Sequence, residues 1–428
     1  MNGADTVWVM VATALVLLMT PALGFFYGGL VRSKNALNTL MMSVACLGFV
    51  GLAWALAGYS LAFDPGTSLL GGAGHLLLRG VDLQPKGTIP HLLFMAFQAS
   101  FAVITAALVS GAIVERMRFP AYLAFVTAWS LLVYAPVAHW VWGGGWLGAL
   151  GALDFAGGTV VHVNAAVTAL VAALVLGPRK DYARQALLPH SVPLTLLGAG
   201  LLLFGWFGFN GGSALAANGV AALAFVNTLL APMATLVVWT LIDLRRTGRV
   251  TAVGAATALV VGLVAVTPAA GFVGPAAALA LGALAAFPSY LGLVWRARTR
   301  LDDSLDVVAA HGLGGTVGAL LTGVLARKEW GGAEGLLAGN PRQLLVQALA
   351  VAAVLAFSAA GSFVILKLVG LALPLRAGSR EEGLGLDVSQ HGEEAYARDE
   401  GAVLLLPDSG TPLPRLVAPV LSAAGGES

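Results

Sequence analysis

Two histidines stand inside stretches almost stripped of ionisable side chains: His162 in Val160-Val161-His162-Val163-Asn164 and His311 in Ala309-Ala310-His311-Gly312. A neutral imidazole donates and accepts hydrogen bonds without carrying charge, which makes it the least costly ionisable group to place in hydrocarbon. Such residues usually face a cavity or each other and mark ion or proton paths. The plainer alternative is a pair of histidines that merely bond backbone carbonyls. Spacing argues against a metal pair, because no carboxylate lies three or four residues from either histidine and no HExxH is present.

Aromatic residues form the second constellation. Phe97 and Phe101 are four apart and share a helix face. Trp140, Trp142 and Trp146 bracket a run of three glycines, and Trp206, Phe207 and Phe209 are followed by Ser213. Singly, each reads as interfacial-belt or lipid-facing filler. Clustered beside a hydroxyl, they could hold a small cation at about 0.5–2 kcal/mol per ring. A bare ion in an apolar medium faces a Born cost of tens of kcal/mol, which a few rings cannot offset across a bilayer. The carbonyl solution of potassium filters is missing, since there is no TVGYG. A cation that leaves its proton behind and crosses as a neutral molecule escapes the cost; ammonium does so and potassium does not. Asp154 and Asp303 each precede a histidine by eight residues. Asp154, like Asp302, Asp303 and Asp306, reads first as a helix cap, with any bias of the local field toward cations a consequence.

Positioning these groups requires a membrane frame. The 428 residues are 58% hydrophobic and 10% charged, with 55 glycines, and the mean hydropathy is +0.86. Soluble domains run at about a quarter charged, so an ordinary globule is excluded. The scarcity of charge also excludes disorder, and the net charge of +2 gives no footing for nucleic acid. One cysteine, Cys46, permits neither an internal disulfide nor a thiolate cluster. Apolar stretches of about 20 residues or more recur at 7–31, 36–62, 90–114, 120–141, 158–177, 191–211, 220–242, 251–267, 272–295, 306–326 and 341–373. Asn340-Pro341 offers a cap and first-turn residue for the long last stretch. The first stretch lacks a basic n-region, so it reads as part of the mature chain and not as a signal peptide.

The spans predict an all-α polytopic membrane protein with eleven transmembrane helices. With the N-terminus outside, loops on the cytosolic side carry thirteen Lys and Arg against five on the other, which supports N-out, C-in. Two halves, about 7–177 and 191–326, echo each other. Gly24-Phe25-Phe26-Tyr27-Gly28-Gly29 is matched by Gly205-Trp206-Phe207-Gly208-Phe209-Asn210-Gly211-Gly212, and the Asp-to-His spacing recurs. Glycine seams alone are common packing devices; the paired histidines point further, to an inverted five-plus-five helix repeat plus a long last helix, with the path between the halves. Residues 1–373 would form the membrane domain and 374–428, where the composition turns acidic, a cytosolic C-terminal tail.

On these residues the chain resembles a bacterial ammonium transporter of the Amt/MEP/Rh family. The carrying motifs include FFYGGLVRSKN (25–35), AFQASFAVIT (96–105), GAIVERMRF (111–119), AHWVWGGG (138–145), GALDFAGGTVVHVNAA (151–166), GWFGFNGGSALAAN (205–218), AAHGLGGTVG (309–318) and GLDVSQHGEEAY (385–396). The resemblance implies a homotrimer with one pore per subunit, no cofactor, no enzymatic activity, and nitrogen uptake as ammonium, possible methylammonium included. It implies recruitment at Trp142, Phe101 and Ser213 supported by Asp154. It further implies a phenyl gate of Phe101 and Phe209, a lumen lined by Phe97 and Trp206, and a twin-histidine pair, His162 and His311. It also implies control by a PII-type signalling protein at the cytosolic face, with Gly385, Leu386, Asp387, His391, Gly392 and Tyr396 in the regulatory tail. Trp140 departs from many relatives and carries no assigned role. The competing readings are a sensor acting through its tail and an Rh-type neutral gas channel. An intramembrane hydrolase lacks both GxSxG and HExxH.

Overall fold

The structure, a computed structural model, describes residues 1–396. The stretch 397–428, the far part of the expected tail, lies outside the described residues. Ten helices among them are long and apolar enough to cross a membrane: Gly3–Leu30, Ser33–Phe63, His91–Ala112, Phe119–Ala149, Gly158–Leu176, Val192–Gly212, Gly219–Thr247, Pro275–Arg296, Val308–Leu325 and Pro341–Ala372. Between the seventh and ninth of the expected spans lies Ala252–Val266, apolar but only 15 residues long. At 1.5 Å per residue it covers about 22 Å, less than the hydrocarbon core. Thr267 and Pro268 follow it, and Pro268 lies so close to the start of the fifth span that a Cβ on Gly158 would meet the proline ring. All eleven expected stretches are therefore helical, and the shortfall of the eighth is made up by a turn packed inside the protein.

Ends shift where capping chemistry outweighs hydropathy. The first span starts at Gly3 because the Asn2 side chain accepts from the Ala4 and Asp5 amides. The seventh runs on through Arg245 and Arg246 to Thr247 and stops at Gly248, whose φ of +71° suits glycine. Pro341 takes the first turn of the last helix as expected. Asn340 does not cap it; its amide donates instead to the Glu334 carbonyl at 3.1 Å.

Packing follows the small residues. The first and sixth spans form the most extensive helix pair. Here a Cβ on Gly198 would fall 2.3 Å from the Phe26 backbone nitrogen, and one on Gly208 would meet Ala12 and Leu15. Gly24 and Gly28 instead face Leu40 of the second span. In the fifth and tenth spans, the first half of each packs against the second half of the other, so the two run antiparallel. Each begins with a π-helical turn, Gly158–Val163 and Val308–Leu313, and each turn holds its histidine. Such turns concentrate at functional sites.

At one end of the bundle an ion-pair network ties alternate connections together. Arg32 engages Glu115 through Nε and Nη2 (2.9–3.2 Å) and Asp181 at 2.8 Å. Arg179 bridges Glu115 at 3.0 Å and Asp302 at 2.8 Å. Burial alone would raise the Glu115 carboxyl, but Arg179 and Arg32 outweigh it and hold it below its ordinary range. The four connections that meet here are 31–35, 113–118, 177–191 and 297–307, all at one end, as an alternating eleven-span chain requires.

Adding bulk at the helix seam tests this packing. Overpacking costs about 1–3 kcal/mol, so Gly198→Leu is expected to lower the thermal unfolding midpoint of the detergent-solubilised protein. Gly200→Leu, where a Cβ meets nothing within 4 Å, is expected to leave it unchanged.

Candidate functional site

A cluster of aromatic rings lies toward the end opposite the ion-pair network. Phe101 and Phe209 stack with ring centroids 4.3 Å apart and planes 30° from parallel, and both are about 1% exposed. Phe101 comes from the third span and Phe209 from the sixth, one from each half of the chain. Trp142 stands edge-on to Phe101 at 6.0 Å and is half-buried. Its indole N–H donates to the Asp154 carbonyl at 2.8 Å, which fixes the ring. Ser213, half-buried one turn beyond Phe209, donates to the Phe209 carbonyl at 2.8 Å, leaving the lone pairs of its hydroxyl as acceptors. Phe97 packs edge-on to Phe101 at 4.9 Å and beside Gly212.

Below the phenyl pair, His162 stacks between Trp206, at 5.4 Å, and His311, at 5.2 Å. The two Nδ1 atoms are 3.2 Å apart, so one imidazole donates to the other. Nε2 of His162 is buried without a hydrogen-bond partner. Both rings line a narrow lumen with Met19, Leu23, Ile104, Leu108, Leu202 and Val260. Its free volume, about 10 Å³, holds one water at most. His311 also borders a cavity of about 180 Å³ at the network end, with Tyr27, Arg296, Ser304 and Asp306 in its wall. The Trp206 indole N–H is likewise committed, to Thr267 at 2.9 Å.

Asp154 does not face the lumen with a free oxygen. Its carboxylate accepts from the amides of Gly157, Gly158, Thr159 and Val160 at 2.6–3.0 Å and from the Thr159 hydroxyl. It therefore caps the histidine-bearing fifth span and, through its own carbonyl, anchors Trp142. Asp303 repeats the device on the tenth span, accepting from Val307 and Val308. Other aromatics of the cluster lie apart. Phe207 stacks on Phe225 at 4.3 Å, while Trp140 packs on Phe357 of the last helix and, at 5.7 Å, on Trp146.

Two supports escape the sequence reading. Gln347 of the last helix clamps Leu153 from both sides, accepting from its amide at 2.7 Å and donating to its carbonyl at 2.7 Å. The signal for it was the polar pair Gln343 and Gln347, one turn apart near the start of a mostly apolar helix. The second support is the network centred on Glu115. This residue sits in a quoted motif, at a φ of +67° that non-glycine residues rarely adopt.

The tail residues meet the network end of the bundle. Asp387 accepts from the Leu37 and Asn38 amides at 3.0 and 2.7 Å, capping the second span. Leu386 donates to the Asn35 side chain. His391 lies 2.9 Å from the Asn38 amide nitrogen and packs edge-on to Phe119. Gly385 and Gly392 both have positive φ, and a Cβ on Gly385 would collide with Lys34. Tyr396 pairs with His190 at 2.9 Å.

Removing the Asp154 carboxylate would leave four amides and a hydroxyl unpaired, at about 1–3 kcal/mol for each group that stays buried. Asp154→Ala is expected to lower the unfolding midpoint strongly, with Asp154→Asn intermediate because its one remaining carbonyl oxygen still accepts. Equal midpoints for Asp154→Ala and the parent chain would refute the capping role.

Comparison with known proteins agrees with the site. Residues 7–396 match the model of the Ammonium Transporter Family. An ammonium transporter of Bacillus subtilis is 48% identical over 92% of this chain and 99% of its own length. The Mep2 structure from Candida albicans superposes with a TM-score of 0.85 at 37% identity, covering 92% of this chain and 90% of that one. A solved Sensor Amt Protein gives 0.85 at 29% identity, covering 91% and 98%. The chain is a multi-pass membrane protein with an imidazole pair at the centre of its bundle, and it belongs to the ammonium transporter family, a family of transporters and not of enzymes.

Proposed function

We propose that this protein carries ammonium across the cytoplasmic membrane: the cation is taken at an outer aromatic mouth and deprotonated, ammonia passes along the lumen, and the released proton passes separately by way of the His162–His311 pair, so that net charge crosses. The observation that carries the reading is the stack of Phe101 on Phe209 directly above two touching imidazoles in a nearly dry conduit. Trp142 and Phe101 offer π faces and Ser213 an acceptor for the arriving cation, with Asp154 holding Trp142 in place. Phe101 and Phe209 are the gate; Phe97, Trp206, His162 and His311 line the way. Desolvating a monovalent ion fully costs tens of kcal/mol, whereas ammonia needs only a hydrogen-bond partner. The unpartnered His162 Nε2 supplies one, because an unmet buried group is itself costly by about 1–3 kcal/mol.

The same reading places the N-terminus outside and the tail in the cytosol, on the side of the arginine-rich connections. The transport domain is 1–373, and the tail from 374 onward is the regulatory segment, its docked part reaching Tyr396. A homotrimer and a PII-type partner at the cytosolic face belong to this proposal on the strength of family membership and the docked tail motif. Likeness to a Sensor Amt Protein keeps sensing as the second reading.

Electrophysiology on proteoliposomes adsorbed to a solid support tests the core. Ammonium pulses are expected to evoke a current in the parent protein and potassium pulses none. His162→Ala and His311→Ala are expected to change that current by tenfold or more, and variants indistinguishable from the parent would sink the pore assignment. Trp142→Leu removes one π face worth about 0.5–2 kcal/mol, so half-saturation should rise about 2- to 30-fold.

A further inference from the structure

A second constellation of rings lies at the same end of the bundle as Trp142, outside the conduit. Between the second and third spans a two-residue hairpin, Pro85–Lys86 with Ile89–Pro90, projects Lys86 back toward the helices. Its ammonium sits 4.7 Å from the centroid of Phe94, 5.6 Å from Tyr59 and 5.8 Å from Phe63. Tyr59 and Phe63 come from the second span and Phe94 from the third. Phe63 and Phe94 meet edge-on at 5.1 Å. All three rings are buried. The Lys86 ammonium donates to the Tyr59 hydroxyl at 3.3 Å, and that hydroxyl is also bonded to His91 Nε2. A hydroxyl that gives its proton to the imidazole keeps its lone pairs for the ammonium. Three π faces and one oriented acceptor make up the chemistry by which proteins recognise ammonium groups.

We propose that Tyr59, Phe63 and Phe94 form a second ammonium-type cation site, separate from the pore mouth, whose resident occupant is the chain's own Lys86. Free ammonium or methylammonium competes with this tethered side chain. Because the tether holds Lys86 at an effective concentration in the millimolar range or above, displacement needs external cation at millimolar levels or more. Release would be felt at the pore mouth. The hairpin that carries Lys86 holds the N-terminus, where the Asn2 amide donates to the Thr88 carbonyl at 2.7 Å. Asp5 in turn accepts from the Ala217 amide at 2.8 Å, four residues beyond Ser213.

The site stands apart from the transport reading and is tested without measuring flux. In the full-length solubilised protein, acylation of Lys86 is compared by mass spectrometry with that of exposed Lys328, which corrects for reagent consumed by added amine. Methylammonium chloride is expected to raise the Lys86-to-Lys328 ratio several-fold, and sodium chloride is not; an unchanged ratio overturns the proposal. In Lys86→Ala, methylammonium should restore a lowered unfolding midpoint saturably, beyond any shift seen in the parent protein. Adding Phe94→Leu should erase that extra shift. If Lys86→Ala and the parent respond alike, Lys86 is only a structural latch.

Discussion

The energetic cost of stripping water from charge governs the architecture. The lumen between the phenyl pair and the far cavity holds one water at most and is walled by Met19, Leu23, Ile104, Leu108, Leu202 and Val260. No hydrated ion fits. The polar atoms that do reach the path are mostly tied off. The indole N–H groups of Trp142 and Trp206 are spent on Asp154 and Thr267. In the proposed mechanism the imidazoles are the lumen's hydrogen-bonding groups, which suits a neutral guest.

A conduit of the proposed kind needs walls that do not relax. Asp154 and Gln347 serve this at one end, joining the start of the fifth span, the Trp142 ring and the last helix into one hydrogen-bonded unit. At the other end, Glu115, Arg32, Arg179 and Asp302 link four connections. Buried charges are tolerated only when each finds several partners, and here each does. The docked tail extends the same slab, since Lys34 donates to the carbonyls of Glu382 and Gly383, and Arg118 pairs with Glu381 at 2.8 Å. A partner pressing on the tail would therefore meet a surface already coupled to the second span.

Much of this was legible in the sequence because hydrocarbon forbids so much. All eleven apolar stretches became helices, and His162 and His311 stood out because ionisable residues are so rare around them. Capping by Asp154 was also readable, since its place before the span leaves few other jobs. The sequence was less informative where a side chain's direction decides. Trp206, Phe207 and Phe209 sit within four positions, yet Phe207 turns away to Phe225. The three tryptophans around the glycine run likewise split, with only Trp142 beside Phe101. Glu115 was hidden for another reason: it acts through partners distant in the chain, and no local spacing announces such contacts, while Gln347 left only the trace of its polar pairing with Gln343.

The meeting of the two Nδ1 atoms has a dynamic corollary. With both rings neutral, a single hydrogen lies between those nitrogens, and whichever imidazole owns it has its other nitrogen bare. A charge hopping through the couple would leave that hydrogen on the opposite ring and every bond pointing the reverse way. Before a second hop in the same direction, the couple must turn over, by ring rotation or by return of the hydrogen. In the proposed mechanism such a wire would carry a memory of its last event, and its recovery time would set a ceiling on turnover that the width of the lumen does not.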